Sequence, residues 1–339
     1  MRFENLAIET VTYELPPRWV TSTELEDRLL TAMQRLKLPT RPIQLLTGIA
    51  RRRFWEPGTK IHDVATRVAR RAIYSAGITP DQIGILINTS VCKDYIEPSM
   101  ASLVHGDLGL PASCRNFDVA NACLGFLDGI QIAGQMVESG MVDYALIVDG
   151  ESSEDIVEST IRRLLKLDIT AKEFWENFAT LTLGSVAVAM VLTHSRHSRT
   201  THRVNGSVTL ADTSQNRLCL GTTERMVTES TRLLKAGVSL AQRTWELADK
   251  VLPFWQDSKI KQYICHQVGN SHLQALAEAL SIDPNKCFQT FPDHGNVGPA
   301  AVPLALALAH EAGRVRQGDH VALMGIGSGL NATMMSVTW

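Results

Sequence analysis

Residues 117–126 read Phe-Asp-Val-Ala-Asn-Ala-Cys-Leu-Gly-Phe, and this stretch decides the fold that we expect. An apolar, strand-like run ends here, and the spacing of Leu124, Leu127 and Ile130 that follows is typical of a helix. The pattern predicts a strand-to-helix junction with Cys123 beside the first unpaired N–H groups of the helix. Because these groups and the helix dipole favour an anion, we expect a reactive thiolate at Cys123.

Two further polar residues stand at the ends of predicted elements. His266 lies in residues 263–267, Tyr-Ile-Cys-His-Gln, and Asn296 lies in residues 293–299, Asp-His-Gly-Asn-Val-Gly-Pro. Each has an ordinary structural explanation. A lone cysteine is usually inert core, a strand-end histidine is usually hydrogen-bonded, and an asparagine among glycines suits a left-handed turn. Together, however, a thiolate, an imidazole and a carboxamide suggest acyl-thioester chemistry.

Papain-like cysteine proteases show the same order of cysteine, histidine and asparagine. Their cysteine lies near the N-terminus of the mature chain with a tryptophan close by, a pattern that is missing around Cys123. A protease is therefore disfavoured.

The bulk composition bounds the class of protein. A chain of 339 residues exceeds the usual size of one core, so two similar halves or one large α/β unit are expected. The net charge of −2 gives no general attraction to nucleic acid or to an anionic membrane. A phosphate-bearing partner needs a local cluster, and Arg51, Arg52 and Arg53 form the obvious one. A solvated loop or turn is an equally good reading of that cluster.

The cysteines and the N-terminus indicate the compartment. The six cysteines have no CxxC pairs or regular spacing, which argues against a zinc site or disulfide framework and for reduced thiols. Charged residues interrupt the N-terminus, as they would not in a signal peptide, and no apolar run is long enough to span a bilayer. We therefore expect a cytoplasmic protein that binds no metal. The cysteines are Cys92, Cys114, Cys123, Cys219, Cys265 and Cys287.

Strand-like and helix-like segments alternate along the chain and indicate an α/β fold with sheets covered on both faces. The order of elements repeats, which makes the Cys123 and Asn296 junctions pseudo-equivalent and divides the chain into halves 1–194 and 195–339. Strands are predicted at 6–13, 83–91, 115–119, 144–149, 185–192, 204–210, 262–266, 320–326 and 332–338.

Residues 152–183 interrupt this repeat. They are helical in pattern, rich in Ile, Leu, Phe and Trp, and have no counterpart in the second half. They form either a packing insertion or a cap that walls an apolar substrate channel.

Several motifs together resemble the thiolase-fold condensing enzymes, specifically the β-ketoacyl-acyl-carrier-protein synthase III branch. The resemblance implies a thiolase fold, in which two pseudo-equivalent βαβαβαββ halves form a layered αβαβα structure. The matching strings are GIARRRFW at 48–55, FDVANACLGF at 117–126, CHQVGN at 265–270, HGNVGPAAVP at 294–303 and GIGSGL at 325–330.

One position refines the resemblance. Residues 93–99 read Lys-Asp-Tyr-Ile-Glu-Pro-Ser, with Glu97 where ordinary synthase III enzymes carry an aromatic residue. A glutamate there is similar to 3-hydroxy-3-methylglutaryl-CoA synthase and, more closely, to the OleA family, which opens bacterial long-chain olefin biosynthesis. The strings DYALIVDGE at 143–151, RMVT at 225–228 and GIGSGLN at 325–331 also resemble that family.

Chemistry gives the glutamate a role. A decarboxylating synthase makes its enolate by losing CO₂, whereas a fatty acyl-CoA has no carboxylate to lose and needs a base at its α-carbon. A carboxylate in an apolar pocket, with its pKa raised, is such a base. Burial statistics alone would make Glu97 a surface charge. In the family the corresponding residue reaches into the partner subunit, which implies an obligatory homodimer.

The resemblance thus implies non-decarboxylative Claisen condensation of two long-chain acyl-CoAs to a 2-alkyl-3-oxoalkanoate. Coenzyme A thioesters are the substrates and no other cofactor is expected. The implied roles are an acyl-enzyme at Cys123, oxyanion contacts from the N–H groups of Cys123 and Ser328, proton abstraction by the partner's Glu97, enolate hydrogen bonds from His266 and Asn296, and CoA phosphate contacts from Arg51, Arg52 and Arg53.

Two other functions stay open. One is decarboxylative synthase III chemistry between an acyl-CoA and malonyl-acyl-carrier protein. The other is a catalytically silent scaffold or binding subunit. The intact Cys123, His266 and Asn296 disfavour the scaffold, and Glu97 disfavours decarboxylation. Downstream enzymes of olefin synthesis are possible partners.

Overall fold

The structure is a computed structural model that describes all 339 residues. Its strands are β1 (Leu6–Glu14), β2 (Arg18–Thr21), β3 (Arg51–Phe54), β4 (Ile83–Asn88), β5 (Arg115–Asp118), β6 (Tyr144–Glu151), β7 (Val186–His194), β8 (Arg203–Ala211), β9 (Cys219–Gly221), β10 (Met226–Thr228), β11 (Ile260–Cys265), β12 (His320–Gly327) and β13 (Asn331–Thr338). Its helices are α1 (Ser22–Arg35), α2 (Pro42–Thr47), α3 (Ile61–Ser75), α4 (Met100–Leu108), α5 (Gly125–Glu138), α6 (Glu154–Leu164), α7 (Ala171–Asn177), α8 (Ser230–Val251), α9 (Asn270–Leu280), α10 (Phe291–His294) and α11 (Ala301–Glu311).

Two sets of strands repeat one topology. The first set has the order β1-β7-β6-β4-β5 and the second has the order β8-β13-β12-β11. In each set the first three strands are antiparallel and the remaining neighbours are parallel. A parallel bridge between Tyr263 and Cys287 stands where the second set lacks a fifth strand. The sets join through the single pairing of Ala7 with Arg203, which makes one nine-stranded sheet.

The buried apolar clusters show that the helices and strands form five layers. Helices α5 and α11 pack between the two strand sets in the largest core cluster. Helices α3 and α4 cover the outer face of the first set, and α8 and α9 cover the outer face of the second. Strand β6 illustrates the division: Ala145 and Ile147 point into the central cluster, and Leu146 and Val148 into the outer one. The layered αβαβα architecture is therefore confirmed.

All nine predicted strands exist, and most of their ends lie within one or two residues of the prediction. The long helix α8 ends at Val251, just before Pro253, which cannot continue a helix. The first strand set ends at His194 and the second begins at Arg203. The division into domains at residues 194 and 195 stays a prediction. No helix has the length and apolar character needed to cross a membrane.

Residues 152–183 are helical, as predicted, and consist of α6, α7 and a 3-10 turn at Phe178–Thr182. Their apolar side packs on α1 in a separate core cluster that also includes Ile43 and Phe54. This packing accounts for the buried apolar side chains of the segment, and its role as a cap over a substrate channel stays a prediction.

Candidate active site

Cys123 lies at the predicted junction between a strand and a helix. Strand β5 ends at Asp118, and one 3-10 turn, Ala122–Leu124, precedes α5. Ala122 has a φ of +44°, which is uncommon for a residue with a side chain and is typical of functional turns. A side-chain network holds this turn: Asn121 Nδ2 donates to Asp128 Oδ2 at 2.6 Å, and Asn331 Nδ2 donates to Asn121 Oδ1 at 3.2 Å.

The thiol of Cys123 does not have the lowered pKa that its position suggested. Burial raises this pKa from 9.0 to about 12, and the nearby Cys219 thiol and Glu151 carboxylate add to the rise. Only the backbone N–H of Cys123 itself acts in the opposite direction. In the free protein these surroundings favour the thiol, because removal from water outweighs the helix end, and the reactive thiolate stays a prediction.

The glycine-rich turn of residues 325–330 lies against this cysteine. A Cβ atom on Gly327 would stand 3.5 Å from the Cys123 backbone nitrogen, and one on Gly325 only 2.5 Å from Leu124 Cδ2. The strand end can approach so closely because both positions are glycine. Ser328 follows directly, so its backbone lies next to the cysteine turn.

His266 follows the end of β11 and is 4% exposed. Its backbone N–H donates to the Met324 carbonyl at 2.7 Å, which fixes it beside the glycine-rich turn. Burial, and then the neighbouring His272, lower the pKa of the imidazole to about 3, while the Gly298 carbonyl opposes this shift. His266 is thus neutral at physiological pH, and its Nδ1 is buried without a hydrogen-bond partner.

Asn296 is held on both sides by its backbone. Its N–H donates to the Thr182 carbonyl, and its own carbonyl accepts from the Gly184 N–H, each at 2.9 Å. The side-chain Oδ1 accepts from the Gly298 N–H at 3.0 Å, which leaves Nδ2 as the donating end of the amide. The 3-10 turn that begins at Gly298 packs against the cysteine turn. The structure thus brings together Cys123, His266, Asn296 and Ser328.

Glu97 does not lie with these four residues. It is on the loop of residues 91–99 and is exposed, beside Tyr95 at 44% and Ile96 at 97% exposure. Carboxylates hold the loop near both ends. Asp94 accepts from the Ile61 and His62 N–H groups, and Asp118 accepts from Lys93 Nζ at 2.7 Å and from the first N–H groups of α4. The segment between them projects outward.

The arginine cluster requires a correction, because residues 51–54 form β3 rather than a loop. Arg52 is fully buried, and its guanidinium donates to Ser22 Oγ at 3.1 Å and to the Leu181 carbonyl at 3.0 Å. Burial lowers its pKa to about 10. The prediction that Arg52 contacts CoA phosphates is therefore wrong, since a buried cation with two internal partners cannot meet a ligand in solvent.

Arg51 and Arg53 point to the other face of β3. Their guanidinium carbons lie 4.0 and 3.7 Å from the ring centroid of Trp19, and Arg51 also pairs with Asp293 at 2.8 Å. Their contact with CoA stays a prediction.

Our sequence analysis missed Glu151, the last residue of β6. Its carboxylate is buried and lies near Gly298, because a Cβ on that glycine would be 3.8 Å from Glu151 Cδ. Burial raises the pKa of Glu151 to about 7, and Asp149 titrates together with it. An acidic residue at the end of an apolar strand was the available signal.

Comparisons with known proteins identify the family. Models described as 3-oxoacyl-[acyl-carrier-protein] synthase III and its C-terminal part match residues 117–212 and 254–339. An acyl-CoA:acyl-CoA alkyltransferase of Xanthomonas campestris is 43% identical over 339 residues, all of both chains. One from Shewanella oneidensis is 37% identical over 353 aligned positions, again covering all of both chains.

Solved structures of Xanthomonas campestris OleA superpose on the whole chain. A histidine variant has a TM-score of 0.97 at 43% identity and full coverage of both chains. A cerulenin-bound form has a TM-score of 0.98, and the alignment covers all of this chain and 98% of that structure's chain. A cysteine variant with bound lauric acid and lauroyl-CoA has a TM-score of 0.97. This chain therefore belongs to the acyl-CoA:acyl-CoA alkyltransferases, the OleA family of thiolase-fold acyltransferases.

Proposed function

We propose that this protein joins two long-chain acyl-CoA molecules by non-decarboxylative Claisen condensation and releases a 2-alkyl-3-oxoalkanoate. The observation that carries the proposal is the meeting of the Cys123 turn with His266, the Asn296 turn and the glycine-rich turn. The lauric acid and lauroyl-CoA bound by the Xanthomonas campestris cysteine variant support acyl-CoA substrates. As the resemblance to the OleA family implies, we propose that this reaction opens long-chain olefin synthesis.

In the first step, Cys123 Sγ attacks the thioester carbonyl of one acyl-CoA. A Cys123 S–acyl bond forms, the bond to CoA breaks, and the thiol proton ends on the departing CoA sulfur. Exchange of one thiol for another needs no net proton uptake, which suits a thiol with a pKa of about 12. The backbone N–H groups of Cys123 and Ser328 stabilise the carbonyl oxygen as it becomes negative.

In the second step, a carboxylate removes an α-proton from a second acyl-CoA. The resulting carbanion attacks the acyl group on Cys123, a carbon–carbon bond forms, and the cysteine sulfur leaves. His266 is kept neutral by its buried site, so its N–H and the Asn296 amide donate hydrogen bonds to the enolate oxygen. Water then hydrolyses the remaining CoA thioester to the β-keto acid.

The base in this step is Glu97 of a second copy of the chain. Within its own chain Glu97 lies on an exposed loop, and we infer that a homodimer supplies it in trans. Strand β5 is an open sheet edge, and four apolar side chains on or near the loop are exposed, as expected of a surface that another chain covers. These side chains are Val91, Tyr95, Ile96 and Phe117.

For coenzyme A, we propose Arg51 and Arg53 as the cations that face the phosphates. Both are on the outer side of β3 with their guanidinium groups over the exposed Trp19 ring. We further propose that the protein acts in the cytoplasm without another cofactor. Six free cysteines, including the adjacent buried Cys265 and Cys287, are consistent with a reducing compartment.

Mass spectrometry of the products tests the proposal against decarboxylative synthase III chemistry, the second candidate, which the matched family models favour. Myristoyl-CoA alone should give a β-keto acid carrying the carbons of two acyl chains. A product that appears only when a malonyl thioester is added, extended by two carbons, would contradict the proposal.

A further inference from the structure

Glu151 holds the start of the loop that carries Glu97. Its Oε1 accepts from the Val91 N–H at 2.6 Å, and its Oε2 accepts from the Cys92 N–H at 3.3 Å. One buried carboxylate therefore binds two successive backbone donors, a strong and directional arrangement. Because the carboxylate is at the end of β6, this contact fixes the loop to the central sheet.

Two further carboxylates complete the attachment of the loop. Asp94 binds the N-terminus of α3 and the His62 ring, whose Nδ1 lies 2.8 Å from Asp94 Oδ2. Asp118 binds Lys93 and the N-terminus of α4. Because Glu151 binds the N–H groups of residues 91 and 92, the loop is attached at three places. The segment around Glu97 is exposed.

Glu151 differs from the other two carboxylates because it also faces the catalytic residues. It lies against Gly298 of the Asn296 turn, and its charge contributes to the environment of Cys123. It is thus the link between the site of its own chain and the loop that serves the neighbouring site.

We propose that Glu151 is a positioning residue that sets the Glu97 loop in the geometry needed to reach the partner's substrate. The inference rests on the proposed function. It is distinct from a direct action of Glu151 on Cys123 of the same chain, which would alter acylation of that cysteine. A base acts only within hydrogen-bond reach of the proton, so a loop displaced by about 1 Å costs up to about 100-fold in rate.

A double-mutant cycle separates positioning from direct action. Glu151→Gln keeps the side-chain size but presents an amide donor to one of the two N–H groups. Condensation should fall about 10- to 100-fold while the burst of CoA release from Cys123 acylation is not slowed, since loss of the Glu151 charge removes one cause of the raised thiol pKa. Adding Glu151→Gln to Glu97→Gln should cause no further loss of condensation. Independent, multiplicative losses, or a slower burst, would overturn the proposal.

Glu138 provides a matched control. Its carboxylate also accepts successive backbone N–H groups, from Glu4 and Asn5 at 3.0 and 3.1 Å, but far from the loop. Glu138→Gln should leave condensation unchanged. If it lowers condensation as much as Glu151→Gln does, the effect of Glu151 is a general loss of structure and the proposal fails.

Mixed dimers identify the chain on which Glu151 acts. In a dimer of a Glu151→Gln chain with a Cys123→Ala chain, one site combines an intact cysteine with an intact Glu97 loop from the other chain. We expect this dimer to condense. No activity, while a dimer of Glu97→Ala with Cys123→Ala is active, would show that Glu151 acts within its own site. If both mixtures are silent, subunit sharing fails and the proposal falls with it.

Discussion

Among single residues, the surroundings of the Cys123 thiol and the His266 imidazole favour the uncharged form of each side chain, because burial raises the pKa of the thiol and lowers that of the imidazole. A helix N-terminus stabilises a negative charge by about 0.3–2 kcal/mol, whereas burial that raises a thiol pKa by about three units corresponds to a few kcal/mol. The effect of burial on the thiol pKa is therefore larger than the effect of the helix N-terminus. A neutral pair suits two steps in which the cysteine exchanges thioesters and the histidine donates a hydrogen bond to an enolate.

Replacing the nucleophile tests the first of these steps. Cys123→Ser should abolish acyl-enzyme formation and leave the melting temperature nearly unchanged, because the substitution is small and local. Intact-protein mass spectrometry after incubation with acyl-CoA measures the adduct. Serine at Cys92, Cys114, Cys219, Cys265 or Cys287 should not cause a comparable loss of turnover. A covalent adduct on the Cys123→Ser protein would assign the nucleophile to another residue.

The buried imidazole predicts a pH dependence of stability. The pKa of His266 is about 3 in the folded chain and 6.5 as its ordinary value, so between these pH values the unfolded state binds the extra proton. Stability should therefore fall as the pH drops from about 6.5 towards 3, by an amount on the order of a few kcal/mol. Urea unfolding should show a shallower pH dependence for His266→Gln than for the wild type. Equal slopes would mean that His266 is not held neutral.

Among the elements, we propose that the loop of residues 91–99 supplies the base. Glu97→Gln keeps the shape of the side chain but removes the proton acceptor, so Cys123 acylation should survive while condensation falls about 10²–10⁴-fold. Stopped-flow CoA release and product quantification measure the two steps. Condensation near the wild-type rate would remove the main residue-level support for the non-decarboxylative route.

Strand β3 carries one buried structural arginine, Arg52, beside two arginines that are more exposed, and its sequence alone does not distinguish them. Arg52→Met removes a buried cation that faces the buried Glu26 carboxylate, so unfolding should become easier by about 2–4 kcal/mol with the KM for acyl-CoA unchanged. Denaturant titration and steady-state kinetics measure both. A raised KM without a loss of stability would restore Arg52 as a phosphate ligand.

The sequence predicted the elements whose signal is local. Strands such as β6 and β7 contain continuous apolar runs, and His266 directly follows another, β11. Strands β2 and β3 were missed because their pairing joins residues from Thr21 with Arg51 to Arg18 with Phe54, far apart along the chain, and their residues are mostly polar. The burial of Arg52 and Glu151 depends on such long-range packing, so no local pattern could reveal it.

In the whole molecule, the repeated strand topology explains how one site gathers residues from distant parts of the chain. Because α5 and α11 lie side by side between the strand sets, the turns that precede them meet. This places Cys123 beside the Asn296 turn, and the second half adds His266 and the glycine-rich turn. The same architecture leaves β5 at an open sheet edge beside the exposed Glu97 loop, and we propose that a second copy binds there and completes the site.

We expect a working site to combine Cys123 of one chain with Glu97 of another. Neither Cys123→Ala nor Glu97→Ala homodimers should condense acyl-CoA, but a purified mixed dimer with one differently tagged chain of each should recover one working site. Product should form at about half the wild-type rate per dimer, since one of two equivalent sites is restored. A mixed dimer as inactive as its two parents would show that Cys123 and Glu97 do not act across the two subunits.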